Sequence, residues 1–561
     1  MKKIFNPYNL KDFMKMITMG TLLVSLIPLF SSTYVEKKED LGETKTRNSL
    51  DSLGTQAREL VLDSLSWTDH YWDERAGLIW SAETKIRIPS EKQELSRHQK
   101  DKINRLRSHR THDVRQTSFY ALGLLLRNQQ GDNERAFKAL NAVLDEQIDQ
   151  PGMLYHGTFY RNPEETPPPT NPQDLVWTHY DPNWRQFIGT TFAIILEEYE
   201  KRLPQQLQKK MENSIQKAVE GEQNEFRTQH RGRSGGPMDK GLEHYTNIAL
   251  MHAFLWTYAG DRLKKPEWIK EGEEFATTIY NNFKRYGTFE EYNCPSYYGV
   301  DLFGLALWRA YGPTPLLQRM GSELEAELWK DIALHYHAGL KNLAGPYSRA
   351  SGMDMQKYVS LTGLWLYSVL GPKLAPLPQD GNFDYAPHFA ILGAKIPQEA
   401  MKHFKSFLGE RLVKRVITPK RVAYSWIGKD FMLGAETTHR TRLVATRGET
   451  VATQFYPVTV HWKTPQGNTS WIKLIDSPRL DARAEKNMLY IYCIGDAIFR
   501  IAAPDIDPKS VQYDLWKLPG LSVQVKTDAL DSIISPGDGY IDIHYIAATH
   551  FTLQMTSLIH D

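Results

Sequence analysis

Cysteine is scarce in this chain, which has only Cys294 and Cys493 among 561 residues. The two lie in what we predict to be different domains, so the chain lacks the disulfide framework that stabilises small secreted proteins. A strong charge of either sign is also missing, because 68 Lys and Arg residues face 66 Asp and Glu residues. Nucleic-acid binding through general neutralisation of phosphates is therefore not expected, and an anionic partner would need locally placed Arg and Lys.

Long apolar segments are missing as well. The uncharged stretch 16–30 is shorter than the roughly 20 residues that a helix needs to cross a bilayer. It follows several lysines and precedes the small polar residues 31–33, which is the layout of a secretory signal peptide. We predict that residues 1–32 are cleaved and that the exported protein is periplasmic or secreted. No stable membrane anchor is expected, although a retained leader is the alternative.

Motifs for cofactors and metals are absent too. The sequence has no glycine-rich phosphate loop and no nucleophile elbow, which argues against nucleotide-dependent and serine-hydrolase chemistry. His335 and His337 are two apart on a predicted helix and therefore diverge. His439 and His461 could approach each other in the predicted β domain, but their spacing does not require it. We predict neither a cofactor nor a metal ion.

Residues 50–371 are predicted to be helical, because amphipathic runs of about 14 to 18 residues alternate with polar or Gly/Pro breaks. Gly260, Gly312 and Gly371 follow such runs, as expected at helix C-termini. The runs have no fixed repeat length, which favours an (α/α) incomplete toroid of antiparallel hairpins over a stacked solenoid. The clearest runs are Val114–Arg127, Glu134–Glu146, Trp184–Glu200, Gln205–Glu222, Leu242–Ala259, Pro266–Phe283, Tyr297–Tyr311, Glu323–Leu343 and Asp354–Leu370.

After Pro372–Pro378 the pattern changes to short runs that alternate or stay apolar, separated by Gly, Pro, Asp or Asn. These runs predict an antiparallel β-sandwich over residues 379–561. The fold class is therefore multidomain α + β. The runs are Val458–Trp462, Trp471–Lys473, Leu489–Tyr492, Ala497–Ile501, Leu521–Val525 and Tyr540–Tyr545.

Taken together, three long breaks in the helical part are rich in Tyr, Trp, His, Asn and Gly: Gly152–Asn183, Arg227–Lys240 and Tyr286–Ser296. Linkers are seldom so aromatic, and loops that rest on a rigid scaffold often carry function. We therefore predict that these loops form a binding surface.

The order of a leader, a helical ring and an antiparallel β domain resembles the polysaccharide lyases of the heparinase II/III and alginate-lyase kind. The segments that carry the resemblance are Glu243-His-Tyr-Thr-Asn247, Glu291-Tyr-Asn-Cys-Pro-Ser-Tyr-Tyr298 and Gly345-Pro-Tyr-Ser-Arg-Ala-Ser-Gly-Met-Asp354. The resemblance implies a cleft in the toroid where an acidic polysaccharide or oligosaccharide is cleaved by β-elimination. It also implies that an Asn or Arg neutralises a uronate carboxylate while a Tyr and a His exchange protons.

Elimination needs a base, a group that neutralises the carboxylate, and an acid for the leaving oxygen. A Tyr can act as the base only if its pKa of about 10 is lowered by nearby positive charge. On the resemblance, the expected catalytic residues are Asn293, Tyr298, His244, Tyr297 and Arg349.

Several of these residues have an alternative structural role. His244 could cap a helix or pack locally, and Asn293 could be the N-cap of the helix that follows it. Arg349 could bind a sugar carboxylate or form a clamp with Asp354. Cys294 could be a thiol nucleophile, but no histidine partner supports this, and packing is the simpler role.

Substrate binding is predicted for polar and aromatic residues at helix starts, because aromatic faces stack on sugars while Asp, Asn and His bond their hydroxyls. Trp184 could instead be the first buried residue of its helix. The expected substrate-binding residues are His179, Tyr180, Asp181, Trp184, Asn247, Asp301, Asp354, Arg115 and Tyr120.

Three other functions fit the sequence. A glycoside hydrolase on a similar ring would use two carboxylates across the scissile bond. A noncatalytic glycan-binding surface protein would use the aromatic loops alone, and a dehydratase would act on a small alcohol. The carboxylates near the loops are Asp181, Asp239, Glu243, Glu290, Glu291, Asp301 and Asp354.

Overall fold

The structure is a computed structural model that describes residues 49–81, 111–168, 179–227, 246–378, 381–440, 455–477 and 480–559. These residues belong to one compact unit, Arg47–Asp561. The predicted signal peptide and the candidate residue His244 lie outside the described residues.

The described part of the chain contains twelve α-helices. Each of them is too short or too polar to span a membrane. In chain order they are α1 (Thr55–Asp69), α2 (Val114–Arg127), α3 (Asp132–Asp145), α4 (Trp184–Tyr199), α5 (Gln205–Arg227), α6 (Thr246–Arg262), α7 (Pro266–Tyr286), α8 (Tyr297–Tyr311), α9 (Pro315–His335), α10 (Leu361–Leu370), α11 (Ala386–Leu392) and α12 (Gln398–Lys405).

The helices form a double-layered ring. The inner helices α2, α4, α6, α8, α10 and α11 are largely buried, and each packs on its neighbours until α11 meets α2. Tryptophan side chains join the inner helices, since Trp308 Nε1 donates to the Leu250 carbonyl at 2.8 Å and Trp365 Nε1 to that of Gly299 at 2.9 Å. Between inner helices the chain returns through an outer helix, so α2, α4, α6 and α8 run parallel and begin at one end of the ring.

The predicted runs Val114–Arg127 and Tyr297–Tyr311 coincide with α2 and α8. Two other predicted runs, Glu323–Leu343 and Asp354–Leu370, have different bounds in the structure, where the helices are α9 and α10. Helix α9 begins early because Thr314 caps it and accepts from Leu317 N, and it ends at His335 because the following residues pair as strands. Helix α10 begins at Leu361, where the Ser360 hydroxyl accepts from Gly363 N at 3.2 Å, rather than at Asp354.

Gly260 was predicted to end a helix, but α6 continues to Arg262. Its missing side chain serves packing instead. A Cβ at this position would lie 2.7 Å from the backbone nitrogen of Ile269 on α7. The glycine therefore lets an outer helix approach an inner one closely.

The change from helix to strand comes later than Pro372–Pro378, where we predicted it. Helices α11 and α12 follow that segment and pack against the ring, α11 on α2 and α12 on α9. They have only seven and eight residues, fewer than the window over which a helical period can be recognised in a sequence. The first strand of the large sheet begins at Arg411.

Among the described residues, the C-terminal part is one antiparallel sheet of eleven strands: β6 (Arg411–Thr418), β7 (Arg421–Ile427), β8 (Phe431–Arg440), β9 (Val458–Lys463), β10 (Thr469–Asp476), β11 (Leu480–Glu485), β12 (Met488–Ala502), β13 (Leu515–Leu518), β14 (Leu521–Thr527), β15 (Asp531–Gly537) and β16 (Tyr540–Ser557). Its order is β13-β14-β16-β12-β10-β9-β8-β7-β6, with β15 on β16. Strand β11 pairs with both β12 and β8, so the sheet folds over and encloses its own apolar core.

In the described residues of the helical part there are also a short three-stranded sheet, formed by β1 (Trp72–Asp73), β2 (Leu78–Trp80) and β3 (His112–Asp113), and a two-stranded sheet, formed by β4 (Tyr336–His337) and β5 (Asn342–Leu343). The predicted class, a helical ring followed by an antiparallel β domain, is confirmed.

The β domain packs closely on the loop 342–358 of the ring. The backbones of Tyr347 and Tyr456 exchange two hydrogen bonds, at 3.0 and 2.9 Å. The Ser425 hydroxyl donates to the Gly345 carbonyl at 2.6 Å. Arg415 of β6 pairs with Asp331 of α9 at 2.8 Å. These contacts fix the loop that carries Arg349 between the two parts.

Gly434 on β8 is expected to be intolerant of any side chain, because a Cβ there would lie 2.1 Å from the Gly345 carbonyl carbon. We expect Gly434→Ala to lower the free energy of unfolding by about 1–3 kcal/mol, as overpacking does, measured by thermal and denaturant unfolding. Gly54→Ala is the control, since no atom lies within 4 Å of the new methyl group. Equal stability of the two variants would contradict the close contact.

Candidate active site

The buried carboxylate of Glu291 joins three segments of the ring. Its side chain is fully buried, and Oε2 accepts from Asn247 Nδ2 at 2.6 Å and from the Asn247 backbone nitrogen at 3.3 Å. Its other oxygen pairs with Arg349. Asn247 lies in the first turn of α6 and Glu291 in the loop before α8, so the carboxylate holds two inner-helix starts and the loop 342–358 together.

Arg349 and Tyr297 form the outward face of this cluster. The guanidinium lies 3.7 Å from the centroid of the Tyr297 ring, and Nη2 donates to the phenol oxygen at 2.7 Å. Both side chains are partly exposed, whereas Glu291 behind them is not. A cation held by a buried anion and stacked on a phenol is thus presented at the helix-start end of the ring.

Asp301 lies one turn further along α8 and has no hydrogen-bond partner on either oxygen among the described residues. Burial, together with the nearby charge of Glu291, raises its pKa well above the usual value. Burial also raises the pKa of Glu291, while Arg349 and Asn247 oppose the rise. We infer that Asp301 is protonated and that Glu291 carries the negative charge that Arg349 balances.

Tyr298 points away from this face, although it is adjacent to Tyr297 in sequence. It is fully buried, and its hydroxyl lies 2.7 Å from the Thr288 hydroxyl and 3.4 Å from Asp331. Burial raises the pKa of Tyr298 well above 10, and the charge of Asp331 adds to the rise. This is the opposite of what a catalytic base requires.

Asn293 is fully buried and does not cap α8, whose N-cap is Ser296. Its Nδ2 donates to the carbonyls of Ala344 and Pro346, at 2.6 and 3.0 Å. Its φ of +52° is a left-handed conformation that Asn tolerates better than most residues. The side chain therefore positions the loop that carries Arg349.

Cys294 is also fully buried, and burial raises the pKa of its thiol well above the usual value. A nucleophilic thiol requires the reverse shift. The predicted alternative, packing, agrees with this environment.

The clamp between Arg349 and Asp354 is not formed, because Arg349 pairs with Glu291. Asp354 is buried and accepts from Gln356 N at 3.0 Å, which stabilises a turn before α10. Asp354 is therefore not part of the partly exposed face that Arg349 and Tyr297 form.

A second group of residues surrounds Arg115 in the first turn of α2. Its guanidinium carbon lies 5.3 Å from the Trp184 ring centroid and 5.2 Å from that of Phe187. In the described part of the chain it makes no hydrogen bond or ion pair, and its buried Nε is without a partner. Trp184 is indeed the first buried residue of α4, and it also holds this cation.

Carboxylates surround Arg115 at a distance. Burial raises the pKa of Asp384 to about 6 despite the opposing charge of Arg115, and burial also raises that of Asp113. Asp113 accepts from Gln116 N at 2.8 Å as the N-cap of α2, and Asp181 accepts from Asn183 N at 2.9 Å. Arg115 thus has neighbours of opposite charge but no direct partner among them.

Other predicted binding residues lie elsewhere. Tyr120 donates to Asp69 and accepts from Arg135 at 3.1 Å, in a network that joins α1, α2 and α3. Tyr180 is buried against Tyr155, with ring centroids 5.7 Å apart. His179 is partly exposed beside it.

The structure therefore brings Tyr297, Arg349, Asn247 and Asp301 together and separates Tyr298 and Asp354 from their outward face. Sequence reasoning did not assign the central role to Glu291, and it missed Asp384 altogether. Glu291 was visible only as one of several acidic residues near a loop, and nothing in its neighbours indicated burial.

The fold is a helical ring followed by an antiparallel β domain, and the Glu291, Arg349 and Tyr297 side chains meet at the starts of inner helices. Residues 58–396 match the family model described as Domain of unknown function (DUF8769), and residues 413–535 match another, Domain of unknown function (DUF8770). Because the first match spans more than half of the sequence, the chain belongs to the DUF8769 family. No curated protein matches the sequence.

Two solved structures of heparinase III are similar to this chain. One is 10% identical over 78% of this chain and 76% of that chain, with a TM-score of 0.38. The other, determined with methylated lysines, is 11% identical over 91% and 85%, with a TM-score of 0.33. These likenesses concern the fold alone, at identities too low to transfer the role of any residue.

Asp301→Asn should change how stability depends on pH. A carboxyl whose pKa is raised by folding stabilises the chain at low pH, and this contribution is lost as pH rises through the folded value. Between about pH 4 and pH 7, acidification should therefore raise the free energy of unfolding of the wild type relative to that of the variant. The rise should be up to about 1.4 kcal/mol per pH unit. The measurement is denaturant unfolding across this range.

Asp538→Asn is the control for this experiment, since Asp538 is exposed in a turn. A constant difference between wild type and Asp301→Asn at every pH would mean that Asp301 is ionised in the folded chain.

Proposed function

We propose that this chain is an exported polysaccharide lyase that cleaves a uronate-containing glycan by β-elimination. The observation that carries the proposal is the Arg349 guanidinium, hydrogen-bonded to the Tyr297 phenol at 2.7 Å and backed by the buried Glu291. A phenol and a cation held together at a partly exposed surface are two of the three groups that elimination needs.

Tyr297 is the proton-transfer residue of this proposal. Arg349 donates to its oxygen, so the phenol proton is directed away from the guanidinium. The hydrogen bond from Arg349 becomes stronger once the phenol has given up its proton, because it is then charged at both ends. Among the two adjacent tyrosines, only Tyr297 combines exposure with this contact.

Arg349 also supplies positive charge beside the place where the uronate carboxylate would lie. Neutralising that carboxylate stabilises the carbanion-like state from which the leaving oxygen departs. Asn247 is buried and its amide is directed to Glu291 at 2.6 Å, so it orients the carboxylate behind Arg349 rather than the substrate. His244 stays our candidate for the second proton transfer, three residues before Asn247.

Arg115 and Trp184 would hold another part of the glycan. Their helices α2 and α4 begin at the same end of the ring as α6 and α8. The Arg115 guanidinium packs on aromatic rings and makes no ion pair with described residues. It can therefore bind a sugar carboxylate through two N–H donors.

One observation favours a second function, a glycoside hydrolase. Burial raises the pKa of Asp384 to about 6, a value suited to a general acid near neutral pH. Asp113, whose pKa burial also raises, would be the second carboxylate. In that reaction the Arg115 group, not the Tyr297 group, would hold the scissile bond.

Tyr297→Phe should lower turnover at least about 100-fold without unfolding the protein, because it removes only the hydroxyl that transfers the proton. The assay incubates the purified protein with a panel of uronate polysaccharides and follows ultraviolet absorbance from the new carbon–carbon double bond. Tyr490→Phe is the control, because Tyr490 is 42% exposed on the β domain.

Three outcomes would redirect the proposal. Loss of turnover in Tyr298→Phe but not in Tyr297→Phe would move the role to the buried tyrosine. New reducing ends without new absorbance, abolished by Asp384→Asn, would replace the lyase by the hydrolase. No reaction with any polysaccharide would leave the glycan-binding function as the better account.

A further inference from the structure

Lys473 lies on β10 in a row of side chains that crosses the sheet. It pairs directly with Arg500 on β12, and Arg500 pairs directly with Asp542 on β16. Directly paired residues project to the same face of a sheet. Two cations and one carboxylate therefore stand side by side on one face.

The single carboxylate of this row is already engaged. Arg500 binds Asp542 in a two-point contact, with Nε–Oδ1 and Nη2–Oδ2 distances of 2.7 Å each. Lys473 makes no hydrogen bond or ion pair with any described residue, and its ammonium lies over Tyr456, 3.9 Å from the ring centroid, with Trp471 at 5.3 Å. Lys473 is thus the cation of the row that lacks a counter-charge.

The ionisation of Lys473 agrees with this geometry. Burial and, to a smaller extent, the charge of Arg500 together lower the pKa of Lys473 to about 7, although Asp542 opposes the shift. An anion placed beside the ammonium would reverse the effect. An uncompensated cation in a partly buried position is costly unless such an anion arrives.

Aromatic rings hold both cations in place without neutralising them. The Arg500 guanidinium lies 3.9 Å from the centroid of the Tyr540 ring, as Lys473 does from that of Tyr456. Cation–π contacts of this kind restrict the side chains while leaving their N–H groups able to donate. We call Tyr456, Trp471, Lys473, Arg500 and Tyr540 the lysine patch.

The lysine patch is continuous with the loop that carries Arg349. Tyr456 exchanges backbone hydrogen bonds with Tyr347, two residues before Arg349. Trp471 packs against the core of the helical ring, and His461, its partner on β9, lies 2.8 Å from the Met353 carbonyl. The patch therefore begins where the β domain meets the candidate active site.

We propose that the lysine patch binds an acidic sugar unit of the glycan, whose carboxylate or sulfate contacts Lys473 and Arg500. This inference rests on the proposed function, because it places a second part of the same polyanionic substrate on the β domain. The patch adds positive charge on the β domain to the two ring cations, Arg349 and Arg115, that the proposed function assigns to the same substrate.

The first experiment measures the reactivity of Lys473 in the full protein. At pH 7 a lysine with a pKa of about 7 is about half deprotonated, so limiting acetic anhydride should acetylate Lys473 ahead of the exposed Lys463, as followed by peptide mass spectrometry. An oligoglucuronate of six units should protect Lys473 at least about fivefold, because the bound anion restores its proton. A cello-oligosaccharide of equal length should not protect it.

The second experiment measures binding of the same oligoglucuronate by calorimetry. Lys473→Met should weaken binding about tenfold, Lys473→Arg should restore most of it, and the control Lys463→Met should change nothing. Weaker binding at alkaline pH is expected for the wild type but not for Lys473→Arg, since Arg stays charged.

Three further outcomes test the assignment of the lysine patch to an acidic sugar. Protection by inorganic sulfate as complete as that by the oligosaccharide would reduce the patch to a general anion site and overturn the sugar assignment. Absence of protection together with normal binding by Lys473→Met would overturn it as well. Protection without cleavage of any polysaccharide would support the patch while contradicting the lyase proposal, so the two failures are distinguishable.

Discussion

The contact between the buried Glu291 carboxylate and Arg349 determines how the two parts of the molecule meet at the candidate active site. Without that anion, the guanidinium would be partly removed from water beside apolar surface, at a cost that only a counter-charge can offset. With it, the loop 342–358 is held against the starts of α6 and α8, and the β domain closes over the loop through Tyr456, Ser425 and Arg415. The geometry of Tyr297 follows from this contact, because its ring lies under the same guanidinium.

Much of the fold could be predicted from the sequence because it is recorded locally. Helix α2 combines a dense apolar stripe with an Asp N-cap, and α8 combines a similar stripe with a glycine after its last residue. The 3.6-residue period and the end signals therefore agree for both. Helix α11 has seven residues, too few to show a helical period. The sequence of strand β6 shows only a weak alternation of polar and apolar residues. Their conformations depend on the surfaces against which they pack, which no local pattern contains.

The site was less predictable than the fold for the same reason. Arg349 and Glu291 are 58 residues apart in sequence, and Arg349 has an acidic residue much nearer to it, Asp354. Choosing the right partner required the tertiary contact between two loops. The same holds for Tyr297 and Tyr298, because two adjacent residues of the same type cannot be told apart from the local sequence. Only their place on α8 decides that one contacts a cation and the other is enclosed with Asp331.

The parallel arrangement of the inner helices has an electrostatic consequence for the end at which they begin. Each helix start leaves backbone N–H groups without partners in its own helix, and the aligned peptide dipoles add a partial positive charge of roughly half a unit there. Four such starts carry residues of the two groups described above: Arg115 on α2, Trp184 on α4, Asn247 on α6 and Tyr297 on α8. The acidic and basic side chains of this protein almost cancel in number. Its main chain can nevertheless provide a positive potential for a polyanion at this end of the ring.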